Sequence, residues 1–210
     1  MTLFEVGVVI AIVMILAILI LHTSWRLNSA QDRARRINCV NNLKQTGLAY
    51  RIWEGDHGDI YPMGVSVTNG GSREMVATGS VVQTFLVMSD ELGTPKILYC
   101  PADSARTPAT AFAGLDNSNI SYFVAVDVTN DATNPQLIFS GDCNFEIGGV
   151  PVKPGLRSFW TNDPIVWSAG GHVNRGNLGL ADGSVQVTTS RSLRDYFQQT
   201  GLATNRFAIP

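Results

Sequence analysis

Three cysteines, Cys39, Cys100 and Cys143, are the residues of this chain best suited to covalent or metal chemistry. None falls in a CxxC pair, which argues against a thiolate metal cluster or a thioredoxin-like redox motif. In an oxidising compartment they allow one disulfide and one spare thiol in three pairings, and their spacing does not choose among them. His172 and Asp182 are the residues that could do acid–base work. Asp182 is followed by Gly183, a turn dipeptide, and the turn alone explains an acid there. His172 could brace the strand that opens the following hairpin through a side-chain hydrogen bond. No nucleophile with a positioned base is readable, so catalysis is not expected. Asp127, Asp131 and Asn134 put oxygen donors in one loop and are weak calcium candidates. The loop lacks EF-hand spacing, and Asn/Asp loops are mostly turns, so no cofactor is expected. Arg33, Arg35 and Arg36 could meet nucleic acid or lipid headgroups, but such a cluster is more often a solvated face or pairs with acids on a neighbour. The net charge of -2 carries no nucleic-acid signature.

The longest of the elements that carry these residues comes first. Residues 6 to 21 read VGVVIAIVMILAILIL, sixteen in a row without a polar side chain, with Glu5 just before them. A secretory signal peptide would place basic residues ahead of the run and small residues after it; here Glu5 precedes and His22-Thr23-Ser24-Trp25 follows. A buried core helix would normally keep a polar face. A membrane-spanning helix fits best, because Leu3 and Phe4 extend the run towards the roughly 30 Å of a bilayer core. An acid at the lip of such a span is costly and usually functional. The first proline is Pro62, so the helix is expected to continue to about residue 54. Leu27, Ala30, Ala34, Ile37, Val40, Leu43, Gly47 and Tyr50 make one stripe at helical spacing, widened by Leu48 and Ile52, and are expected to pack on a sheet. The expected division is 1–25, apolar half-helix; 26–54, amphipathic half-helix; 55–210, a β-rich globular part.

Within that part, Ser80–Leu92 reads as a helix stopped by Gly93-Thr94-Pro95, and Lys96–Tyr99 as a short strand. Ile120–Val128 alternates and is β-rich, and Gln136–Ser140 is the next strand. Asn177–Ala181 and Ser184–Thr188 flank Asp182-Gly183, which predicts a two-residue hairpin turn. Ser190 is the expected cap of a last helix, about 191–200.

The pattern Thr2-Leu3-Phe4-Glu5 followed by the apolar run resembles the mature N-terminus of type IV pilins and type II secretion pseudopilins. The spacing His172, nine residues, Asp182-Gly183, with Asn177 between them, resembles the H-X9-DG segment of pilin-like proteins abundant in planctomycetes and verrucomicrobia. CVNNLKQTGLA (39–49), ELGTPKILYCPAD (91–103) and ISYFVAVD (120–127) resemble those proteins too, so the likeness covers nearly the whole chain. It implies an α+β fold with a long N-terminal helix and an antiparallel sheet. It implies a structural subunit, held in the inner membrane, then polymerised through its N-terminal helices into an extracellular filament. In that family a prepilin peptidase removes a basic leader and the new N-terminus is methylated. Met1 is taken as that residue here, although the family usually has Phe there. The resemblance implies that Glu5 neutralises the N-terminus of a neighbouring copy during assembly. A removed leader would also outweigh the basic residues after the span, which otherwise favour a cytoplasmic location. Many family members carry Gly and Pro where this chain has Met14 and His22, so a straighter helix is expected. Cys39 and Cys100 lie in the matching segments and Cys143 does not, which favours a Cys39–Cys100 disulfide. A periplasmic pseudopilus, or an anchored binding module that does not polymerise, are the alternatives.

Overall fold

The computed structural model describes residues 2–129 and 134–210, and the side chains of all of these except Leu3 and 22–29. It divides into two compact units, one ending at Arg35 and one spanning Arg36–Pro210. Helix α1, Leu3–Asp56, contributes to both. Its first turn is closed by a reciprocal pair: Thr2 N–H donates to Glu5 Oε2 at 2.7 Å, and Glu5 N–H donates to Thr2 Oγ1 at 3.4 Å. That is a capping box, Thr at the cap and Glu three residues on, and it satisfies two otherwise orphan donors. Between Phe4 and Leu21 every side chain is exposed, Leu21 at 72%. This 18-residue segment, mean hydropathy 3.1, is long and apolar enough to cross a membrane.

In the second unit one face of α1 is buried. Cys39, Leu43, Thr46, Tyr50 and Trp53 recur at intervals of three or four, with Ala49 beside them, and all are within 2% of full burial. The face is narrower and starts later than the sequence stripe suggests. Ala30, Ala34 and Ile37 are exposed, as are Leu48 and Ile52. At about 100° per residue those two, each two positions from Tyr50, stand roughly 160° around the helix from it, so they cannot share its face. Gly47 permits close approach: a Cβ there would lie 3.1 Å from the Phe139 ring, whose centroid is 5.1 Å from that of Tyr50.

The expected helix over Ser80–Leu92 is broken. After a short turn α2 (Arg73–Val76) come α3 (Val82–Val87) and α4 (Ser89–Leu92), separated at Met88, whose backbone leaves the helical region while its side chain is fully buried. The expected strand at Lys96–Tyr99 is instead a 3-10 turn, Pro95–Leu98. Pro95 presets its first dihedral and the Thr94 hydroxyl accepts from Lys96 N–H, so local turn chemistry overrides the β-prone side chains.

The main sheet has six antiparallel strands in the order β5-β9-β1-β2-β7-β8: β1 Tyr122–Ala125, β2 Ile138–Asp142, β5 Gly155–Trp160, β7 Arg175–Leu180, β8 Val185–Thr189 and β9 Thr204–Ile209. A second sheet, β4-β3-β6, joins Val150–Pro151, Phe145–Ile147 and Ile165–Trp167. α+β is therefore the fold class. Phe123, Phe145, Phe159, Trp167 and Phe207 meet in the core, with the Phe123 and Phe207 rings stacked at 4.2 Å. The β7–β8 turn differs from the two-residue expectation. Leu180 N–H donates to Ser184 O and Gly183 N–H to Leu180 O, so Ala181, Asp182 and Gly183 form a three-residue loop. Gly183 takes φ +83, the left-handed position that this loop type requires. Helix α5, Ser190–Gln199, is capped by Thr189 with Ser192 in a capping box, and not by Ser190. The Ser190 hydroxyl instead accepts from Trp167 N–H at 3.0 Å.

Candidate functional site

The residues singled out as reactive converge at one end of β2. Cys39 on α1 is joined to Cys100, with 5.2 Å between their Cα atoms, and Cys143 is the free cysteine. Cys100 is held in place from three sides. Asn42 Nδ2 donates to Tyr99 O at 2.8 Å, Ser121 N–H donates to Leu98 O, and Asp103 N–H closes a turn on Cys100 O. Beyond the disulfide stands His172. Its Nε2 lies 3.3 Å from Cys100 Sγ and 3.6 Å from Asp142 Oδ2. His172 therefore braces the disulfide and the end of β2 and does not cap its own hairpin. The loop that delivers it turns sharply: Val173 and Asn174 follow with φ of +52 and +57. A β-branched residue in that region is strained, and the surrounding contacts hold it there. One of those contacts is Asn144 Nδ2, which donates to Gly170 O and Arg175 O on either side.

Asp142 is the residue that sequence reasoning passed over. It closes β2, is 4% exposed, and its Oδ2 accepts from both Asn177 N–H and Asn177 Nδ2 at 2.8 Å. Asn177 is thus explained as the clasp between β2 and β7. Asp142 Oδ1 has no hydrogen-bond partner among the described residues. Burial pushes the Asp142 carboxyl up to about 7, against the two bonds from Asn177 that pull it down. Burial, then the charge of Arg36, pushes His172 down to about 4. The available signal was weak: Ser140 and Asp142 are two polar residues, two apart, in an otherwise apolar strand.

A cavity of about 220 Å³ opens beside this cluster, lined by Cys100, Asp103, Arg106, Asp142, Cys143 and His172 among others. Arg106 is tied down by Asp103 at 2.9 Å and by Pro210 O at 2.8 Å. The Cys143 thiol donates to Ser121 O at 2.7 Å, and burial pushes it up to about 12, which leaves it an inert thiol. Asp142 and Cys100 approach the same nitrogen of His172. A nucleophile–base–orienter relay needs them on opposite ring nitrogens, and this arrangement does not provide it.

The remaining sequence candidates lie apart from this cluster. Asp182 Oδ1 accepts from Ser184 N–H at 2.8 Å, and its carbonyl accepts from Arg51 Nη1 at 2.8 Å, so it serves the turn and fastens it to α1. Asp127 faces the Arg206 guanidinium, whose Nε donates to both carboxylate oxygens at 3.0 and 3.1 Å. Asn134 Oδ1 accepts from Gln136 N–H and its Nδ2 donates to Thr200 O. Asp131 lies outside the described residues, as does Met1. No known protein family, characterised protein or solved structure matches this chain.

Proposed function

We propose that the chain is a structural subunit, of the type IV pilin kind, that polymerises into a helical extracellular filament. The observation that carries this reading is the segment Phe4–Leu21. It is apolar at every position but one, exposed on all sides, and carries a single carboxylate, Glu5, at its N-terminal end. Such a surface needs a bilayer or other copies of itself around it. In the proposed cycle the segment sits in the inner membrane until a prepilin peptidase and a pilus assembly machinery act on the chain. It then packs against the same segment of other copies. Heterologous contacts of that sort do not close and give a fibre. Glu5 sets the register by neutralising a neighbour's Met1 amino group. A periplasmic pseudopilus uses the same contacts over a shorter length.

The capping box gives Glu5 a second role, which the experiment has to separate from the first. Glu5→Gln keeps a side chain that can close the box but removes the charge. Material sheared from producing cells is examined by electron microscopy, with mass spectrometry of the subunit. Wild type should yield a thin fibre of this chain, and Glu5→Gln should yield none while its membrane-fraction level is unchanged. Abundant fibres from Glu5→Gln would sink the charge role. Dispersed wild-type subunits would favour an anchored binding module, a reading that the cavity beside His172 and Asp142 supports.

A further inference from the structure

The Cys39–Cys100–His172 cluster lies in the Arg36–Pro210 unit, apart from the apolar segment on which the filament reading rests, and it brings two sulfurs and an imidazole together. We propose that when the Cys39–Cys100 bond is open, Cys39, Cys100 and His172 form a binding site for a thiophilic metal ion, Zn2+ in the first instance, with the fourth position open to the adjoining cavity. Disulfide and metal are then alternative occupants of one site.

Geometry carries the argument. The two sulfurs and a ring nitrogen of His172 all lie within 4.8 Å of one another. All three residues are buried: Cys39 at 0%, Cys100 at 3% and His172 at 4% exposure. Tetrahedral zinc with S and N ligands needs sulfur–nitrogen edges of about 3.5 Å. The Cys100 Sγ–His172 Nε2 distance, 3.3 Å, is already close to that edge. Opening the bond moves the sulfurs to non-bonded contact, close to the roughly 3.8 Å of a zinc dithiolate. Asp142, whose Oδ2 stands 3.6 Å from His172 Nε2, sets a carboxyl beside the site. The cavity lined by Cys100, Asp142 and His172 gives ion and reductant access. Asn177, which holds Asp142 through two bonds, would act as the outer support that orients the carboxylate. Two thiolates and an imidazole select zinc or copper(I) over calcium or magnesium.

The electron balance is simple. A trialkylphosphine and one water convert the disulfide to two thiols and the phosphine oxide. Zn2+ then displaces the two thiol protons to solvent. Re-oxidation by a small-molecule disulfide restores the Cys39–Cys100 bond, yields two free thiols of the oxidant and releases the ion. A newly made chain starts in the thiol state, so the metal-binding form precedes the oxidised one.

The test uses the full chain in detergent micelles, reduced with phosphine under argon and titrated with Co2+ and then with Zn2+ in competition. The expected result is one ion per chain, with sulfur-to-cobalt charge-transfer absorption and the visible bands of tetrahedral cobalt, all displaced by Zn2+. Cys143→Ser should bind as wild type does. His172→Gln should bind at least about tenfold more weakly, and the oxidised chain should not bind. If reduction alone unfolds the chain, Zn2+ should restore the near-ultraviolet dichroism of wild type and not that of His172→Gln. Binding by the oxidised chain, dependence on Cys143, indifference to His172, or absence of any saturable uptake would each overturn the proposal.

Discussion

Two stretches of the same helix obey different rules. From Val6 to Leu21 α1 has no face: all sides are apolar and all are exposed. From Cys39 to Trp53 it has one buried line and an otherwise exposed surface. Backbone geometry is the same in both, so the difference lies in what the side chains require of their surroundings. In the second stretch the sheet meets that requirement, through Phe139 against Gly47 and Tyr50. In the first, nothing among the described residues does. Hydrophobicity in the second stretch is a folding force, whereas in the first it is a demand for a partner.

Removing the disulfide should break that contrast most severely. The bond fixes Cys39 to a residue 61 positions away, and a loop of that length lowers unfolded-state entropy by the equivalent of about 4 kcal/mol. Cys39→Ser/Cys100→Ser should lower the urea unfolding free energy of the Arg36–Pro210 unit by roughly that much, without changing the detergent partitioning of the apolar stretch. The next test truncates one leucine in each stretch. Leu43, fully buried against Cys39, Cys100 and Tyr122, should cost about 3 kcal/mol on change to Ala. Leu16→Ala, at a site 52% exposed, should leave the urea midpoint unmoved. A comparable loss from both would mean that the first stretch is also part of the folding core.

The same distinction explains what could be read from sequence. The long helix, the β7–β8 hairpin and the last helix rest on local periodicity and turn chemistry, and they stand where the residues suggested, to within a residue or two. The three-residue Asp-Gly loop and the Thr189 cap are one-position errors of the kind that competing hydroxyls and turn lengths produce. The second sheet, β5 and β9 were not legible. Strands of two or three residues carry no period of their own, and β9 is defined by its pairing with β1 and β5. In the candidate site, His172 and Asn177 stood out as part of a spaced motif, yet their partners did not. Cys100 is 72 residues from His172, and Asp142 is 35 from Asn177, so only the tertiary fold shows what those side chains touch.

Capping gives a smaller contrast of the same form. α1 begins with the box Thr2/Glu5 and α5 with the box Thr189/Ser192. Thr189→Ala should cost about 1 kcal/mol, since α5 buries Leu193 and Phe197 and its fraying exposes them. Thr2→Ala removes an equivalent bond and should leave the same unfolding curve in place, because the first turn of α1 shields no core.

The smallest expected effect is one of pH, and its sign is opposite to that of a buried acid. Glu74 is exposed, and the Val67 N–H that donates to it at 2.8 Å, with its own backbone N–H and Ser66, holds its carboxyl down at about 2. The unfolded chain protonates this group near 4.5, before the folded one does. Its contribution to stability is therefore complete above about pH 4.5 and disappears as pH falls towards 2. The difference in melting temperature between wild type and Glu74→Gln should be constant from pH 8 to 5 and shrink towards zero below 4. Exposure and salt keep it small, and added sodium chloride should reduce it further. Glu5 also accepts a backbone N–H, from Thr2, but in the stretch that folds no core. Glu5→Gln should then trace the wild-type melting curve at every pH, and a gap between the two would show that the first stretch does steady the globular unit.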